Sequence, residues 1–598
     1  MAAFFGRLRA ERWRLLSLAL ASSLPLAVRL LYMRENAIVW RFFDTRGIVA
    51  DVAAGFAAAL VLAAAFRASR LLFVVLFLLW LGLNVAYYEF MRVYGWPFFL
   101  IHAAYALDPT FVAGSGTALT HPLLVAGAAV LLLACLWHVG ATPLPLRWRH
   151  VLPVALVPMV AVEFLPWSDG GSDWRQRSFV SANVADLYHR VIVPDLHAHP
   201  LLPDPPEVTA YLKPDLSGVP ILSAAGARRN VVIVFMEGIS GGQVPYLAQA
   251  QGDVAELPMV GLDALARDDL AFSTFFTHQR QSNRGLYGAL CGDLPGLAAG
   301  LPKMTIVAEG MPRRCLPRAL KDAGYATLFL NATPGVFMQM SKFMRKIGFD
   351  RALGDEDYDP ALPRGRWGVD DGRLYDIALH EIDGLSDGGR PFFLSLFTSS
   401  THHPYRVPED FTGAPGGSPR ERAWAFADAS VARFVEALRA RGRLDDTLVI
   451  LTSDEATPLT EHLLEANWAP MVVLSPEHAA GRVDAAYAQS DIALSVLDYL
   501  GLSPQAQGFI GRSMFRRYDR PRTVYAASVY AGRVYEYVEG EKLTTCSEAL
   551  DDCHLYPVTD GRPFHAGLVR APGPVVAGAM MHAVRDHSMR PPVALPGS

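Results

Sequence analysis

The sequence predicts a chain of two parts, an α-helical membrane domain with five spans followed by an extracytoplasmic α/β domain. Apolar stretches of membrane-crossing length fill residues 1–166, and short apolar strands alternate with amphipathic helices after Asn230. Four of the 5 cysteines lie in the second part, where an oxidising compartment would let them pair. With 598 residues, the chain is also too long for a single hydrophobic core.

Five apolar stretches in the first 166 residues each approach the roughly 20 residues that a helix needs to cross a bilayer. They are Trp13–Met33, Ile48–Phe66, Leu71–Tyr88, Pro122–Val139 and His150–Phe164. The last is the weakest candidate, because it is short and contains Pro153, Pro158 and Glu163. The first could instead be a cleaved signal peptide, but flanking arginines and four later stretches favour a span.

Arginine placement predicts the orientation, since positive charge near a span tends to stay in the cytoplasm. An inside N-terminus puts Arg7, Arg9, Arg12, Arg67, Arg70, Arg147 and Arg149 inside, against Arg34, Arg41, Arg46 and Arg92 outside. Five spans then deliver everything after residue 166 to the outer face. We therefore expect a multi-pass protein of the bacterial inner membrane with a periplasmic second domain.

Two segments beside the spans are predicted to lie at the outer interface. The loop Arg92–His121 is rich in aromatic residues and could help to admit a lipid; these residues are Tyr94, Trp96, Phe98 and Phe99. Residues 167–229 form a proline-rich linker. Inside it, apolar residues at helical spacing predict an amphipathic helix that lies on the membrane or packs against the next domain, namely Val180, Val184, Leu187, Tyr188, Val191 and Ile192.

The cysteines fit this topology. Cys135 lies within a predicted span, where packing explains it, whereas Cys291 with Cys315 and Cys546 with Cys553 form two sequence-local pairs in polar surroundings. We predict two disulfides, with four buried thiols as the alternative. The net charge of -4 is too small for a chain of this size to indicate a nucleic-acid partner.

After Asn230 the pattern predicts a largely parallel sheet covered by helices on both faces. The predicted strands are Val231–Met236, Ala326–Leu330, Phe392–Phe397, Leu448–Thr452 and Met471–Leu474. The predicted helices are Leu316–Ala323, Glu421–Ala440 and Ser490–Leu500. In such sheets the loops at the carboxyl ends of the strands form the site.

Charged and titratable side chains follow three of these strands: Glu237, His402 with His403, and Asp454 with Glu455. Any one of them alone is better explained as a helix cap or a loop residue. Together they indicate a divalent cation, because converging carboxylates repel one another without a counter-charge. Oxygen ligands suit Mg²⁺, Mn²⁺ or Ca²⁺, and a histidine would favour Zn²⁺ or Mn²⁺.

Ser282 is the predicted nucleophile, because it opens a helix-compatible segment whose backbone N–H groups favour a negatively charged oxygen. A metal ion on its hydroxyl would make the alkoxide attainable at neutral pH. Arg284 could hold a phosphate oxygen. The alternative is that Ser282 is only a helix cap.

These residues resemble the lipoteichoic acid synthase group of the sulfatase and alkaline phosphatase superfamily, which includes phosphoglycerol transferases acting on periplasmic glucans. The resemblance covers nearly the whole chain, and the segments around Ser282 and His402 are its more specific parts. Its motifs are Val231–Glu237, Ser282 with Gly285 and Ala289–Gly292, Ile347–Asp350, Trp367–Gly368, Thr401–Tyr405, Ser453–Asp454 and Ser490–Asp498.

The resemblance implies a sulfatase-like catalytic domain at residues 230–535, followed by an extension at 536–598 that contains the second disulfide. It implies metal ligation by Glu237, Ser282, Asp454 and Glu455, with Mn²⁺ as the first choice and Mg²⁺ or Zn²⁺ as alternatives. His402 would contact the phosphoryl group or act as the acid for the departing lipid oxygen, and Trp367 and His403 would bind substrate.

The chain departs from the family at three kinds of position. Serine stands at 282 where the family usually has threonine, and Glu455 stands where it usually has histidine. Met338 and Met340 occupy the places of a substrate-contacting tryptophan and arginine. An altered metal preference and a different headgroup are therefore expected.

The predicted activity is a two-step transfer from phosphatidylglycerol or phosphatidylethanolamine to a glycan or lipid acceptor, through a covalent intermediate on Ser282. Phosphoglycerol transfer to a periplasmic glucan or other envelope polymer is favoured over phosphoethanolamine transfer to lipid A or a glycan, and over simple ester hydrolysis. A formylglycine sulfatase is disfavoured, since Ser282–Leu286 lacks the Ser-x-Pro-x-Arg pattern. A catalytically degenerate domain that only binds glycans or a partner is the alternative from another class.

Overall fold

The computed structural model describes most of the chain in two compact units. The described residues are 13, 15–36, 38–40, 42, 44–94, 98–100, 109–115, 119–141, 148–162, 165, 173–187, 206–310, 313–457, 464–550, 552–558, 562–564 and 575–592. The first unit comprises residues 1–112 and 116–200, and the second comprises residues 113–115 and 201–598.

The N-terminal part of the chain is helical. Its helices are α1 (Leu15–Ser22), α2 (Leu24–Glu35), α3 (Asp44–Ala68), α4 (Arg70–Tyr94), α5 (Pro109–Ser115), α6 (Pro122–Ala141), α7 (Trp148–Val162), α8 (Asp173–Gln176) and α9 (Phe179–Leu187). Within the described residues, α3, α4 and α6 are long and apolar enough to cross a membrane. Helices α1 and α2 form a pair bent by 47° that could make a fourth crossing. The apolar part of α7 is shorter, Pro153–Val162, so a fifth span is not confirmed.

Helix α3 is the centre of the first unit and contacts α2, α4, α6 and α7. Its alanine-rich sequence lets the neighbouring backbones come close, as small residues do in membrane helices. At Gly55 the approach is closest, because a Cβ atom there would lie 1.9 Å from the carbonyl oxygen of Ser22.

Buried ion pairs tie the segment after the spans to this unit. Arg29 pairs with Asp51 of α3, and its guanidinium also donates to the carbonyl oxygens of Trp174 and Arg177. Arg175 pairs with Asp44 at 3.1 Å. A buried arginine with all of these partners is a satisfied charge, whereas losing one partner would leave it uncompensated.

Helix α9 is the described part of the predicted amphipathic helix. Its Phe179 ring packs 5.5 Å from Trp80 and 5.4 Å from Tyr87, while Val184 and Leu187 are exposed. The buried face therefore packs against helices of its own unit. Tyr188, Val191, Ile192 and Trp96 lie outside the described residues.

The second unit is built on an eight-stranded sheet, and the long strands in its middle are parallel. The strands in spatial order are β11 (Gly481–Val483), β4 (Leu270–Phe272), β10 (Met471–Leu474), β9 (Thr447–Ser453), β3 (Asn230–Met236), β8 (Phe392–Phe397), β6 (Ala326–Asn331) and β7 (Arg351–Leu353). Only β10 runs antiparallel to its neighbours β9 and β4. All five predicted strands are present, and the short strands β4, β7 and β11 were not predicted.

Helices cover both faces of this sheet, as predicted, and each face has its own apolar core. One face is covered by α11 (Pro245–Ala250), α12 (Val260–Asp268), α17 (Asp371–Asp387) and α18 (Pro419–Ala440). The other is covered by α13 (Ser282–Cys291), α14 (Lys303–Glu309), α15 (Leu316–Asp322), α16 (Met340–Lys346) and α19 (Ser490–Tyr499). The strands between them are buried on both sides, which explains their unbroken apolar sequences.

A four-stranded antiparallel sheet follows in the chain. It consists of β15 (Thr523–Ser528), β16 (Arg533–Val538), β17 (Lys542–Ser547) and β18 (Cys553–Pro557). The predicted domain boundary after residue 535 falls inside β16, because these strands hydrogen-bond to one another as one sheet. The remaining elements are α10 (Pro206–Tyr211), β1 (Pro214–Asp215), β2 (Val219–Pro220), β5 (Phe275–Phe276), β12 (Tyr487–Ala488), β13 (Gly511–Arg512), β14 (Arg516–Arg517) and α20 (Ala579–Met589).

Both predicted disulfides are present. Cys291 at the end of α13 is bonded to Cys315, which precedes α15, and Cys546 is bonded to Cys553 across β17 and β18. Cys135 is a buried free thiol.

Candidate active site

Two of the predicted acidic residues meet at the carboxyl edge of the central sheet. Strands β3 and β9 are parallel neighbours, and Met236 pairs in register with Ser453. Glu237 and Asp454 directly follow these two strands, so the register brings their carboxylates side by side. The backbone N–H of Gly238 donates to Oδ1 of Asp454 at 3.1 Å, which fixes that carboxylate.

Ser282 approaches the same point from α13. It is the first residue of the helix, and its hydroxyl lies close enough to Asp454 to lower the pKa of that carboxyl group. Its helix neighbours are buried while Ser282 itself is partly exposed, so the hydroxyl remains accessible. The arrangement is that of a nucleophile with a carboxylate partner.

Gly285 explains how α13 comes this near to the sheet. A Cβ atom at Gly285 would lie 1.9 Å from the carbonyl oxygen of Asp454, so no larger residue fits without moving the backbone. The side chain of Gln489 holds the same carbonyl oxygen from the other side, donating to it at 2.6 Å. The contact between nucleophile helix and carboxylate strand is therefore built into the backbone.

The carboxylates carry an unmet demand for positive charge. Burial raises the pKa of Glu237, and the neighbouring Asp454 and Glu455 raise it further. Burial also raises the pKa of Asp454 to about 6, although the nearby Ser282 hydroxyl lowers it. Oδ2 of Asp454 is buried without a hydrogen-bond partner. Buried carboxylates with these properties fit a divalent cation as the missing partner.

Only some of the predicted metal ligands lie close enough together to bind one ion. Within the described part of the chain, no three acidic, histidine or cysteine side chains are close enough to hold one metal ion together. Glu237, Asp454 and Glu455 are therefore not a ready three-carboxylate cage. Two carboxylates and the Ser282 hydroxyl are the donors that the backbone contacts bring together.

Asp371 is a further acidic residue near Glu237 that the sequence analysis missed. It is buried in the first turn of α17, and its Oδ1 accepts from the backbone N–H groups of Ser399 and Ser400 at 3.0 and 2.8 Å. Its charge acts on Glu237. The sequence signal was the pair Asp370–Asp371 opening an amphipathic helix, which by itself indicates only a cap.

His402 lies after β8 with one ring nitrogen fixed. Its Nδ1 lies 2.8 Å from the carbonyl oxygen of His403, and a carbonyl can only accept, so Nδ1 carries the proton. Burial lowers the pKa of His402, which keeps the ring neutral. Its Nε2 therefore presents a lone pair. Trp367 packs against the ring with the centroids 4.5 Å apart.

A pocket of about 630 Å³ opens beside His402 and Trp367. Its wall has charges of both signs, which are Arg364, Arg366, Arg373 and Arg406 together with Asp370, Glu409 and Asp410. The carbonyl of His403 accepts from Nε1 of Trp367 at 2.9 Å, so its backbone shapes this wall. Met340 is instead buried in the core and does not line this pocket.

Arg284 has partners that differ from the prediction. Its guanidinium donates to Gln281 and to the carbonyl oxygens of Gly296 at 3.0 Å and Gly300 at 2.9 Å. These bonds brace the loop after α13. The geometry therefore supports a structural role for Arg284, in place of the predicted contact with phosphate.

The second unit is similar in sequence to known proteins. The sulfatase family matches residues 229–502. Phosphoglycerol transferase I of Salmonella arizonae is 30% identical over 153 residues, 23% of this chain and 20% of that protein. The Xanthomonas campestris pv. campestris phosphoglycerol transferase I is 26% identical over 335 residues, 52% of this chain and 46% of that protein. The chain thus spans less than half of the length of each of these two relatives.

Among solved structures, the lipoteichoic acid synthase LtaP from Listeria monocytogenes matches with a TM-score of 0.50 and 16% identity. The match covers 62% of this chain and 95% of that one. At this identity the likeness concerns the fold alone.

Proposed function

Because residues 229–502 form a sulfatase-family domain similar to phosphoglycerol transferases, we propose that this chain transfers phosphoglycerol from a phospholipid to an envelope polymer. A periplasmic glucan is the first-choice acceptor, and the donor is phosphatidylglycerol in the membrane. The observation that carries the proposal is the Ser282 hydroxyl beside the carboxylates of Asp454 and Glu237.

Glu237, Ser282 and Asp454 would hold a divalent cation, with Mn²⁺ as the first choice and Mg²⁺ or Zn²⁺ as alternatives. Such a cation would supply the positive charge that stabilises an alkoxide and the phosphate oxygens. Glu455 adds negative charge nearby.

In the first step the Ser282 oxygen attacks phosphorus and its proton leaves toward Asp454. The bond between phosphorus and the diacylglycerol oxygen breaks, and diacylglycerol departs as the alcohol after gaining a proton from water. The phosphoglycerol group is then esterified to Ser282. Holding the hydroxyl at the helix start replaces a bimolecular encounter with a positioned attack.

In the second step we assign His402 as the base, in place of the acid role predicted from the sequence. Its Nδ1–H is committed to the His403 carbonyl, so the Nε2 lone pair is the group that can accept a proton. It takes the proton of the acceptor hydroxyl as that oxygen attacks phosphorus. The bond between phosphorus and the Ser282 oxygen breaks, and that oxygen regains the proton held by Asp454, while His402 releases its proton to water. The adjoining pocket would receive the acceptor.

The experiment is to incubate the purified full-length protein with headgroup-labelled phosphatidylglycerol or phosphatidylethanolamine and with Mn²⁺, Mg²⁺ or Zn²⁺. Mass spectrometry then locates any adduct. We expect a phosphoglycerol adduct on Ser282, absent in Ser282→Ala and present in the exposed-site control Ser217→Ala. An ethanolamine adduct would change the donor. No adduct and no diacylglycerol with any metal would favour the non-catalytic binding domain.

A further inference from the structure

Arg280, which lies two residues before Ser282, is a buried charge with unused donors. The residue is 3% exposed, and its Nε and Nη1 atoms are buried without a hydrogen-bond partner in the described structure. Buried guanidinium donors without partners are costly, so native proteins pair them or use them for a ligand. Oδ1 of Asn283, on the other side of Ser282, is likewise buried and unpartnered.

The surroundings of Arg280 set its charge but do not satisfy its donors. Burial lowers the pKa of Arg280, and the carboxylate of Glu455 is the largest of the charges that oppose this lowering. Glu465 acts in the same direction, and Arg280 lies 5.6 Å from the ring centre of Tyr530. Neither Nε nor Nη1 hydrogen-bonds to these groups.

The loop that carries Arg280 is held rigidly. The N–H of Thr277 donates to the carbonyl of Asn467 at 2.8 Å, and the carbonyl of His278 accepts from Ala527 at 2.8 Å. Gln279 donates to the carbonyl of Gly296 at 3.1 Å. Because the three residues before Arg280 are fixed by these bonds, Arg280 is positioned before any ligand arrives.

Two groups near Ser282 have buried polar atoms without partners, and one group is an anion while the other is a cation. Among the residues that the structure describes, Oδ2 of Asp454 has no hydrogen-bond donor, and Nε and Nη1 of Arg280 have no acceptor. A ligand that satisfies both must bring a cation and anionic oxygens together, as a metal-bound phosphate ester does. A carbohydrate hydroxyl alone would satisfy neither.

We propose that Arg280 binds a non-bridging oxygen of the phosphoryl group transferred by Ser282, which rests on the proposed function. Arg280 thus takes the place that the sequence analysis gave to Arg284. Glu455 tempers this interaction, because its carboxylate repels the same anion that Arg280 attracts. The two residues therefore have opposite effects on phosphate affinity.

The test measures binding of inorganic phosphate to the metal-loaded, full-length protein by calorimetry. Arg280→Gln is expected to weaken binding about tenfold to a hundredfold, since it removes charge-assisted hydrogen bonds. Arg280→Lys keeps the positive charge but loses the planar pair of guanidinium donors. Its phosphate affinity should lie between that of the wild type and that of Arg280→Gln. Glu455→Gln should bind phosphate more tightly, and the exposed control Arg390→Gln should match the wild type.

Metal affinity and the unfolding temperature are measured on every variant. If Arg280→Gln does not fold, the other two variants test the assignment. Arg280→Lys should weaken phosphate binding, and Glu455→Gln should strengthen it. Unchanged phosphate affinity in Arg280→Gln overturns the assignment, as does a parallel loss in Arg280→Lys and Glu455→Gln, which would make Arg280 only a structural partner of Glu455. A wild type that binds no phosphate overturns it as well.

The failure of this assignment and of the proposed function are distinguishable. Phosphate binding through Arg280 with no adduct on Ser282 from any lipid would reject the transferase and keep the anion site. A normal rate of adduct formation in Arg280→Gln, with unchanged phosphate affinity, would reject Arg280 and keep the transferase.

Discussion

At the scale of single residues, the geometry of the site depends on a glycine that has no side chain. Gly285 has no Cβ atom, and this allows the helix of Ser282 to touch the carbonyl oxygen of Asp454. Three residues later, Gly288 has its nearest neighbour atom at 3.6 Å from a Cβ position. The two glycines share a helix but differ in what surrounds them.

We expect Gly285→Ala to move α13 away from the sheet, to destabilise the catalytic domain by about 1–3 kcal/mol through overpacking, and to lower adduct formation on Ser282 at least tenfold. Gly288→Ala is the matched control, since an ordinary van der Waals contact receives its methyl group. Calorimetric unfolding and mass spectrometry of the adduct measure the two effects. Equal behaviour of the two variants would contradict the close-approach argument.

His402 gives the second prediction at this scale, and its sign follows from burial. The folded-state pKa of His402 lies below its usual value, so the neutral base persists above that pKa and is lost as the pH falls through it. Protonation also lowers stability there, because the folded protein prefers the neutral ring. Transfer from the Ser282 adduct should therefore show an acidic limb below about pH 6.5, the usual histidine pKa.

The measurement is the rate at which an acceptor glucan removes the adduct, taken between acidic and neutral pH. His402→Gln should slow this step by about a hundredfold or more and abolish the limb. The exposed His380→Gln serves as the control. A limb that persists in His402→Gln would assign the proton to another group.

At the scale of elements, strand register and one disulfide set the geometry. Register between β3 and β9 brings Glu237 and Asp454 together. The far end of the nucleophile helix is bonded to the start of α15 through Cys291 and Cys315. The helix is thus held at its beginning by packing and at its end by a covalent bond.

Loss of this disulfide should cost more than loss of the second one. The first closes a separation of 24 residues and the second one of 7, so chain entropy gives about 3 and about 2 kcal/mol. We expect the double variant Cys291→Ala, Cys315→Ala to unfold at a lower temperature than Cys546→Ala, Cys553→Ala. Calorimetry of the full-length protein in detergent measures both, and the reverse order would contradict the entropic account.

At the scale of the whole molecule, the chain combines apolar helices of membrane-crossing length with a region, residues 229–502, that matches the sulfatase family. A membrane anchor confines an enzyme to the plane of a phospholipid donor, which raises the effective concentration of that donor. This advantage requires the catalytic domain to lie on the side where the acceptor is found.

A labelling experiment tests that orientation. In a Cys135→Ala background, Ser217→Cys at an exposed site of the second unit should react with a membrane-impermeant maleimide in intact spheroplasts. Ser69→Cys, exposed between α3 and α4 and flanked by Arg67 and Arg70, should react only after lysis. Labelling of Ser69→Cys alone in intact spheroplasts would invert the topology.

The sequence by itself determined the features that depend on local pattern. Of the five spans predicted from apolar length, three are described helices long enough to cross a membrane. Apolar strands followed by Glu237 and Asp454 predicted the sheet and the neighbouring carboxylates. Cysteine spacing gave both disulfides. These properties depend on residues that are close together along the chain or that repeat at the period of a helix or a strand. They can therefore be predicted from the sequence.

Only the tertiary structure decided which charges have partners. Arg284 and Arg280 lie four residues apart in one segment, yet Arg284 is bonded to loop carbonyls while Arg280 keeps unpaired donors beside Glu455. Asp371 acts on the charge of Glu237 from the first turn of α17, where its position in the sequence indicated only an ordinary helix start. Hydrogen-bond partners come from segments distant in sequence, so long-range packing, and not local pattern, assigns each charge its role.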